Sequence, residues 1–173
     1  LMVDPDFSNR LLDKCVVTAK DFAEAQINAG CDIIGMGDAI CSQIDLDTYR
    51  SYVKERHREI INFIHEKGAL VKLHICGDIT HLLSDLADLS IDILDIDHMV
   101  DMQQAYEILG PEVIRCGNID PIRVMNQTSE EVETACKEMV HKEKGRKFIL
   151  SAGCEICLDT PLKNLQAMRT AGL

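Results

Sequence analysis

Apolar residues along this chain recur in two periods. Leu12, Val16, Ala19, Ala23 and Ile27 fall three or four apart, as on one face of a helix, and Gly30 follows where that helix would close. Tyr49, Val53, Ile60 and Ile64 mark a second stripe, with Gly68 placed to cap its C-terminal end. Thr128-Ser-Glu-Glu131 is the sequence of a capping box and predicts a helix that opens there and runs to Gly145. Thr160-Pro161 offers an N-cap and a first-turn proline for a last helix reaching the chain end. Between these segments, short apolar runs predict strands over 31–36, 69–75, 91–96, 113–116 and 148–152.

Strand and helix therefore alternate, which implies an α/β fold of parallel strands joined by right-handed crossovers. Five strands fall short of the eight, in roughly 250 residues, that a closed TIM (β/α)8 barrel needs. Periodicity leaves two architectures open, an open parallel sheet or the C-terminal part of a barrel. No linker, low-complexity tract or composition break interrupts residues 1–173, which read as one domain. The first residue is Leu1, so the chain reads as a piece of a longer protein.

Composition narrows the partners more than the fold. The hydrophobic share of 46% and charged share of 27% are those of a globular domain with its own core. A net charge of -11 argues against nucleic acid and against an anionic membrane surface. No apolar run has the length of a membrane span, and no basic-then-apolar leader opens the sequence, so a cytoplasmic protein is expected. Of eight cysteines, Cys15, Cys31, Cys41, Cys116 and Cys136 lie inside apolar patterns and are expected to be small buried hydrophobes. Cys76, Cys154 and Cys157 fall where strands give way to loops.

Those three carry the candidate chemistry. In Lys72-Leu-His-Ile-Cys-Gly-Asp78, period-two spacing sends His74 and Cys76 to one face at the C-terminal end of a strand. Active sites of parallel α/β folds gather at that end. Taken alone, the pair reads more simply as a packed cysteine and a hydrogen-bonded imidazole. Cys154, in Ser151-Ala-Gly-Cys-Glu-Ile-Cys157, adds a third soft donor at another strand end, and two cysteines with one histidine can leave a zinc ion one open position. Cys154-x-x-Cys157 is out of place for a redox motif and lacks the second half of a structural zinc site. Asp38, Asp97, His98, Asn118 and Asp120 also sit at strand ends, where carboxylates often only cap helices. Lys72, Asp95 and Arg115 are candidates for an interior ion network.

The succession Ala29-Gly-Cys-Asp32, Gly37-Asp38, His74-Ile-Cys-Gly77, Gly117-Asn-Ile-Asp-Pro121 and Gly153-Cys-Glu-Ile156 resembles the uroporphyrinogen decarboxylase superfamily, in its cobalamin-dependent methyltransferase branch. The resemblance implies a TIM barrel of which this chain holds the C-terminal five or so β-α units. It implies zinc on His74, Cys76 and Cys154, with Asp38, Asp97, Asn118 and Glu155 serving the substrate or the ligands. The implied reaction moves a methyl group between a corrinoid and a thiol, or an O- or N-methylated small substrate. Nothing in the chain resembles a corrinoid-binding motif, so the cobalamin is expected on a partner protein. Two rival readings are uroporphyrinogen decarboxylation, which needs no metal, and a noncatalytic zinc-binding partial barrel.

Overall fold

A computed structural model describes residues 3–172; Leu1, Met2 and Leu173 lie outside them. Helix α1 (Pro5–Asn28) starts where Asp4 accepts a hydrogen bond from the Phe7 amide at 2.8 Å and Pro5 pre-sets the first turn. Strand β1 (Ile33–Gly37) follows, then α2 (Leu46–Tyr52), α3 (Lys54–Glu66) and β2 (Leu70–Ile75). Next come α4 (Leu83–Ala87), β3 (Ile93–Ile96), α5 (Met102–Leu109) and β4 (Ile114–Ile119). The chain ends with α6 (Pro121–Asn126), α7 (Ser129–Lys142), β5 (Phe148–Ala152) and α8 (Leu162–Ala171). The Thr128–Glu131 capping box forms in full at the start of α7.

All five strands are parallel, and their order in the sheet is their order in the chain. That sequential order belongs to a barrel wall, whereas an open doubly wound sheet reverses direction at a switch point. One face carries Val71, Leu73, Ile75, Leu94 and Ile96, all buried with helix residues such as Ile61, Ile64, Leu82 and Leu86 in a single apolar cluster. On the other face the register aligns Ile33 with Leu70 and Cys116 with Ile149. There Ile33, Leu70 and Ile149 remain 46%, 44% and 42% exposed. Only the outer side of the wall is sealed within this chain.

Several expectations change. The second helical stripe breaks at Val53, leaving Tyr49 in α2 and Ile60 and Ile64 in α3. β4 runs three residues past the apolar stretch, because Asn118 and Ile119 pair with Ser151 and Ala152; sheet pairing overrides the weak strand propensity of Gly117-Asn118. The N-cap position of α8 is Pro161, with no side-chain cap bond, so Thr160 does not cap it. Cys41, Cys116 and Cys136 are buried as expected, but Cys15 and Cys31 are exposed. Arg115 does not join Lys72 and Asp95. Lys72 Nζ lies 2.7 Å from Asp95 Oδ2 on the inner face, while Arg115, aligned with Leu94, turns outward and meets Glu143 at 2.7 Å. Strand parity decides that split.

Candidate metal centre

β2 ends by presenting His74 and Cys76 to the inner face, with the imidazole Nε2 3.1 Å from the Cys76 sulfur. Cys154, just past β5, brings its sulfur to 3.5 Å from that of Cys76. In a flat sheet, strands three places apart would be separated by about 14 Å at ~4.8 Å per neighbour. The contact therefore requires the wall to curl over its C-terminal rim. Gly153 permits the last step of the approach. A Cβ there would stand 2.5 Å from the His98 amide nitrogen and 3.1 Å from the Ile96 carbonyl oxygen. Only glycine lets the end of β5 lie on the backbone beyond β3.

The donor set fits zinc. Ligand atoms of all three residues lie within 4.8 Å of one another. Tetrahedral zinc, with bonds of ~2.3 Å to sulfur and ~2.0 Å to nitrogen, would set the sulfurs roughly 3.8 Å apart and each sulfur roughly 3.5 Å from the nitrogen. The separations about Cys76, 3.1 Å to the His74 nitrogen and 3.5 Å to the Cys154 sulfur, are within a few tenths of an ångström of those values. His74 Nδ1 lies 3.0 Å from the Asp95 carbonyl oxygen, to which it can donate, leaving Nε2 as the ligand atom. Burial and the adjacent Cys154 push the Cys76 thiol up to about 11, with Asp97 adding to the effect. Two thiolates this close repel each other unless a cation lies between them.

The other predicted residues separate by what they touch. Asp97 is buried; its Oδ2 accepts the Gly77 amide at 2.9 Å and its Oδ1 accepts the Met99 amide at 3.2 Å. It thereby ties the turn after Cys76 to the loop after β3. His98 Nδ1 lies 2.8 Å from Asp97 Oδ1. Asn118 donates to the carbonyl oxygens of Val100 at 2.8 Å and Asp97 at 3.4 Å, bracing the same loop from β4. Glu155 is exposed beside Cys154. Cys157 turns away, with its sulfur 3.9 Å from the Pro121 carbonyl oxygen. Asp120 caps α6 through the Ile122 amide at 2.8 Å.

Asp38 belongs to a second cluster, next to the first. Its Oδ1 accepts the amides of Ile40 and Cys41 at 3.1 and 3.2 Å, and its Oδ2 accepts the Cys41 thiol at 2.8 Å. His57 Nε2 lies 3.3 Å from the same Oδ2, and His57 Nδ1 is 3.2 Å from the Tyr49 hydroxyl. Burial works to raise the Asp38 pKa, but the bonds from His57 and Cys41 outweigh it and bring the carboxyl down to about 2. Neither His57 nor Tyr49 stood out in the sequence, since Tyr49 belongs to an ordinary helical stripe and His57 falls among the polar residues between its apolar positions. A histidine in the first turn of α3, facing a carboxylate at the end of β1, was the only available signal. The two clusters touch through their loops: a Cβ on Gly77 (φ +87°) would meet Ser42 Oγ at 2.9 Å.

Comparison with known proteins agrees with the fold. The family model described as uroporphyrinogen decarboxylase (URO-D) matches residues 1–172. The methylcobamide:CoM methyltransferase MtbA of Methanosarcina mazei is 32% identical over 171 residues, covering 97% of this chain and 49% of that protein. A uroporphyrinogen decarboxylase of Synechococcus sp. (strain CC9605) is 28% identical over 172 residues, covering 98% of this chain and 48% of that protein. The solved structure of a methyltransferase from Methanosarcina mazei superposes with a TM-score of 0.85 at 26% identity, covering 94% of this chain and 48% of that one. The chain spans about half the length of the curated relatives it matches.

Proposed function

This chain belongs to the uroporphyrinogen decarboxylase family, and from that membership we propose that it carries the metal centre of a zinc-dependent methyltransferase. The methyl group would pass between a corrinoid, carried on a partner protein, and a small substrate that is either a thiol or an O- or N-methylated compound. The observation that carries this reading is the meeting of the Cys76 and Cys154 sulfurs at 3.5 Å with His74 Nε2 beside them. Decarboxylation of a porphyrinogen makes no demand for such a thiol pair.

His74 Nε2 and the sulfurs of Cys76 and Cys154 would hold the zinc. When bound, zinc supplies Lewis acidity, which keeps a substrate thiol deprotonated or polarises the heteroatom bearing the methyl group. Asp95 fixes the His74 ring through its backbone carbonyl. Asp97 and Asn118 hold the two rim loops in register and are positioning residues. Asp38 shapes the loop over the site, and exposed Glu155 is left to meet substrate or partner. The inner face beneath the metal is partly apolar, with Lys72 paired to Asp95, which suits a small substrate with an apolar portion. A cytoplasmic setting, where thiols stay reduced, suits the centre.

Metal analysis beside a Cys76→Ser variant, coupled to methyl transfer from a methylated corrinoid protein to a thiol, is the test. The native protein should hold zinc at this centre and transfer methyl, and the variant should lose that equivalent of zinc together with the transfer. Full zinc occupancy with undiminished transfer in the variant overturns the proposal. Turnover of uroporphyrinogen by the native protein would establish the decarboxylase reading in its place.

A further inference from the structure

We infer that Asp38, Cys41 and His57 form a second binding site for a divalent cation of the zinc type, distinct from the cysteine-rich centre and independent of the function proposed for it. The three side chains offer a carboxylate oxygen, a thiol sulfur and an imidazole nitrogen, all within 4.8 Å of one another. Cys41 and His57 are buried, and the Asp38 side chain is one-quarter exposed. Asp38 Oδ2 lies between the other two donors, 2.8 Å from the sulfur and 3.3 Å from Nε2.

Without a cation, protons bridge these atoms. The thiol donates to Asp38, and burial together with the Asp38 charge raises the Cys41 pKa and keeps the thiol protonated. The network closes on itself, so the chain folds without metal here. A cation entering the cluster takes the place of those bridging protons. Cys41 loses its proton to solvent, while the His57 proton moves from Nε2 to Nδ1 and is donated to the Tyr49 oxygen, 3.2 Å away. One proton leaves, and a carboxylate and a thiolate balance the two positive charges, so a neutral site forms in a buried place. The Tyr49 contact is the partner that a metal-binding histidine needs on its other nitrogen.

A fourth ligand has room. Asp38 and His57 both line a cavity of about 360 Å³ between α1, β1 and α3 whose other walls include Val16, Phe22 and Ile60. Water or a small ligand can complete the coordination from that side, as at zinc sites with three protein ligands.

Cobalt(II) titration of the purified protein tests the inference, since tetrahedral cobalt absorbs in the visible and a thiolate ligand adds a near-ultraviolet charge-transfer band. The native protein should take up two equivalents. A Cys76→Ser/Cys154→Ser variant should retain one, with the charge-transfer band and release of one proton per cobalt. Adding Cys41→Ser or His57→Gln should abolish it; the two substitutions are separate routes, in case one disturbs folding. The inference fails if the double variant binds no cobalt, if its cobalt shows no thiolate band, or if binding survives both further substitutions. Loss of the first equivalent alone bears only on the cysteine-rich centre.

Discussion

The rim of the sheet and its outer helical layer use the same polar residue types to opposite ends. In the outer layer the buried charges meet opposite charges. Arg115, fully buried, meets Glu143 at 2.7 Å, donates to the Met102 carbonyl at 3.2 Å and stacks on Tyr106. Arg50 holds both oxygens of Asp85, at 3.0 and 2.8 Å, and Lys54 adds a third contact at 2.7 Å. At the rim, the paired groups are the supports, Asp97 and Asn118, whereas the sulfurs of Cys76 and Cys154 face each other with weak partners. A donor left without a strong protein partner is available to a cation or reactant. The comparison predicts a double dissociation, in which layer variants lose stability and rim variants lose metal.

Arg115→Met gives the largest effect. It leaves buried Glu143 with only the longer contact to Arg146, at 3.7 Å, and should cost roughly 3 kcal/mol in denaturant unfolding, the low end for a broken buried pair, with zinc content per folded molecule unchanged. Adding Glu143→Leu should recover most of that loss; no recovery would mean that Arg115 stabilises by stacking on Tyr106 instead. Gly153→Ala comes next. Its Cβ cannot share space with the His98 amide, so the end of β5 must lift and carry Cys154 away. Zinc affinity should fall by about 100-fold, the upper range for disturbed ligand support, while circular dichroism keeps its α/β signature. Unchanged affinity in a chelator competition would show that the rim adapts.

Thr128→Ala, which removes the α7 capping box, should lower unfolding free energy by about 1 kcal/mol and leave metal binding alone. The smallest effect is one of pH. The bonds from Arg50 bring the Asp85 carboxyl from 3.8 down to about 2, against burial and with help from Lys54. A depressed folded-state pKa contributes stability above the ordinary carboxylate range, and that contribution is lost as pH falls through about 2. Asp85→Asn should therefore flatten the fall in Tm between about pH 4 and pH 2, modestly, because Arg50 is half exposed. An identical acid profile in the variant would remove Asp85 from the account.

Much of the architecture is legible in one dimension. Every predicted strand is present, because short apolar runs between helical stripes are hard to read otherwise. The α7 capping box forms as written, since capping depends on residues three apart. Boundaries that depend on partners were not legible. β4 continues through Gly117-Asn118 only because β5 lies beside it, and the helical stripe from Tyr49 breaks at Val53 without proline or glycine. Arg115 lies on the strand that follows the strand of Asp95, yet one position of strand parity sends it to the other face. The Asp38 cluster was invisible as a group, because Tyr49 and His57 differ in no local way from other helical residues.

Local chemistry by itself determined that this chain alternates strand and helix, that His74 and Cys76 share a face, and that Cys154 ends another strand. Those facts follow from backbone periods acting over a few residues. Tertiary structure alone decided that Cys154 meets Cys76 across two intervening strands, and that His57 comes to rest against Asp38. Both depend on how the sheet curls and how α3 packs on its outer face, which are sums of many weak contacts distant in sequence.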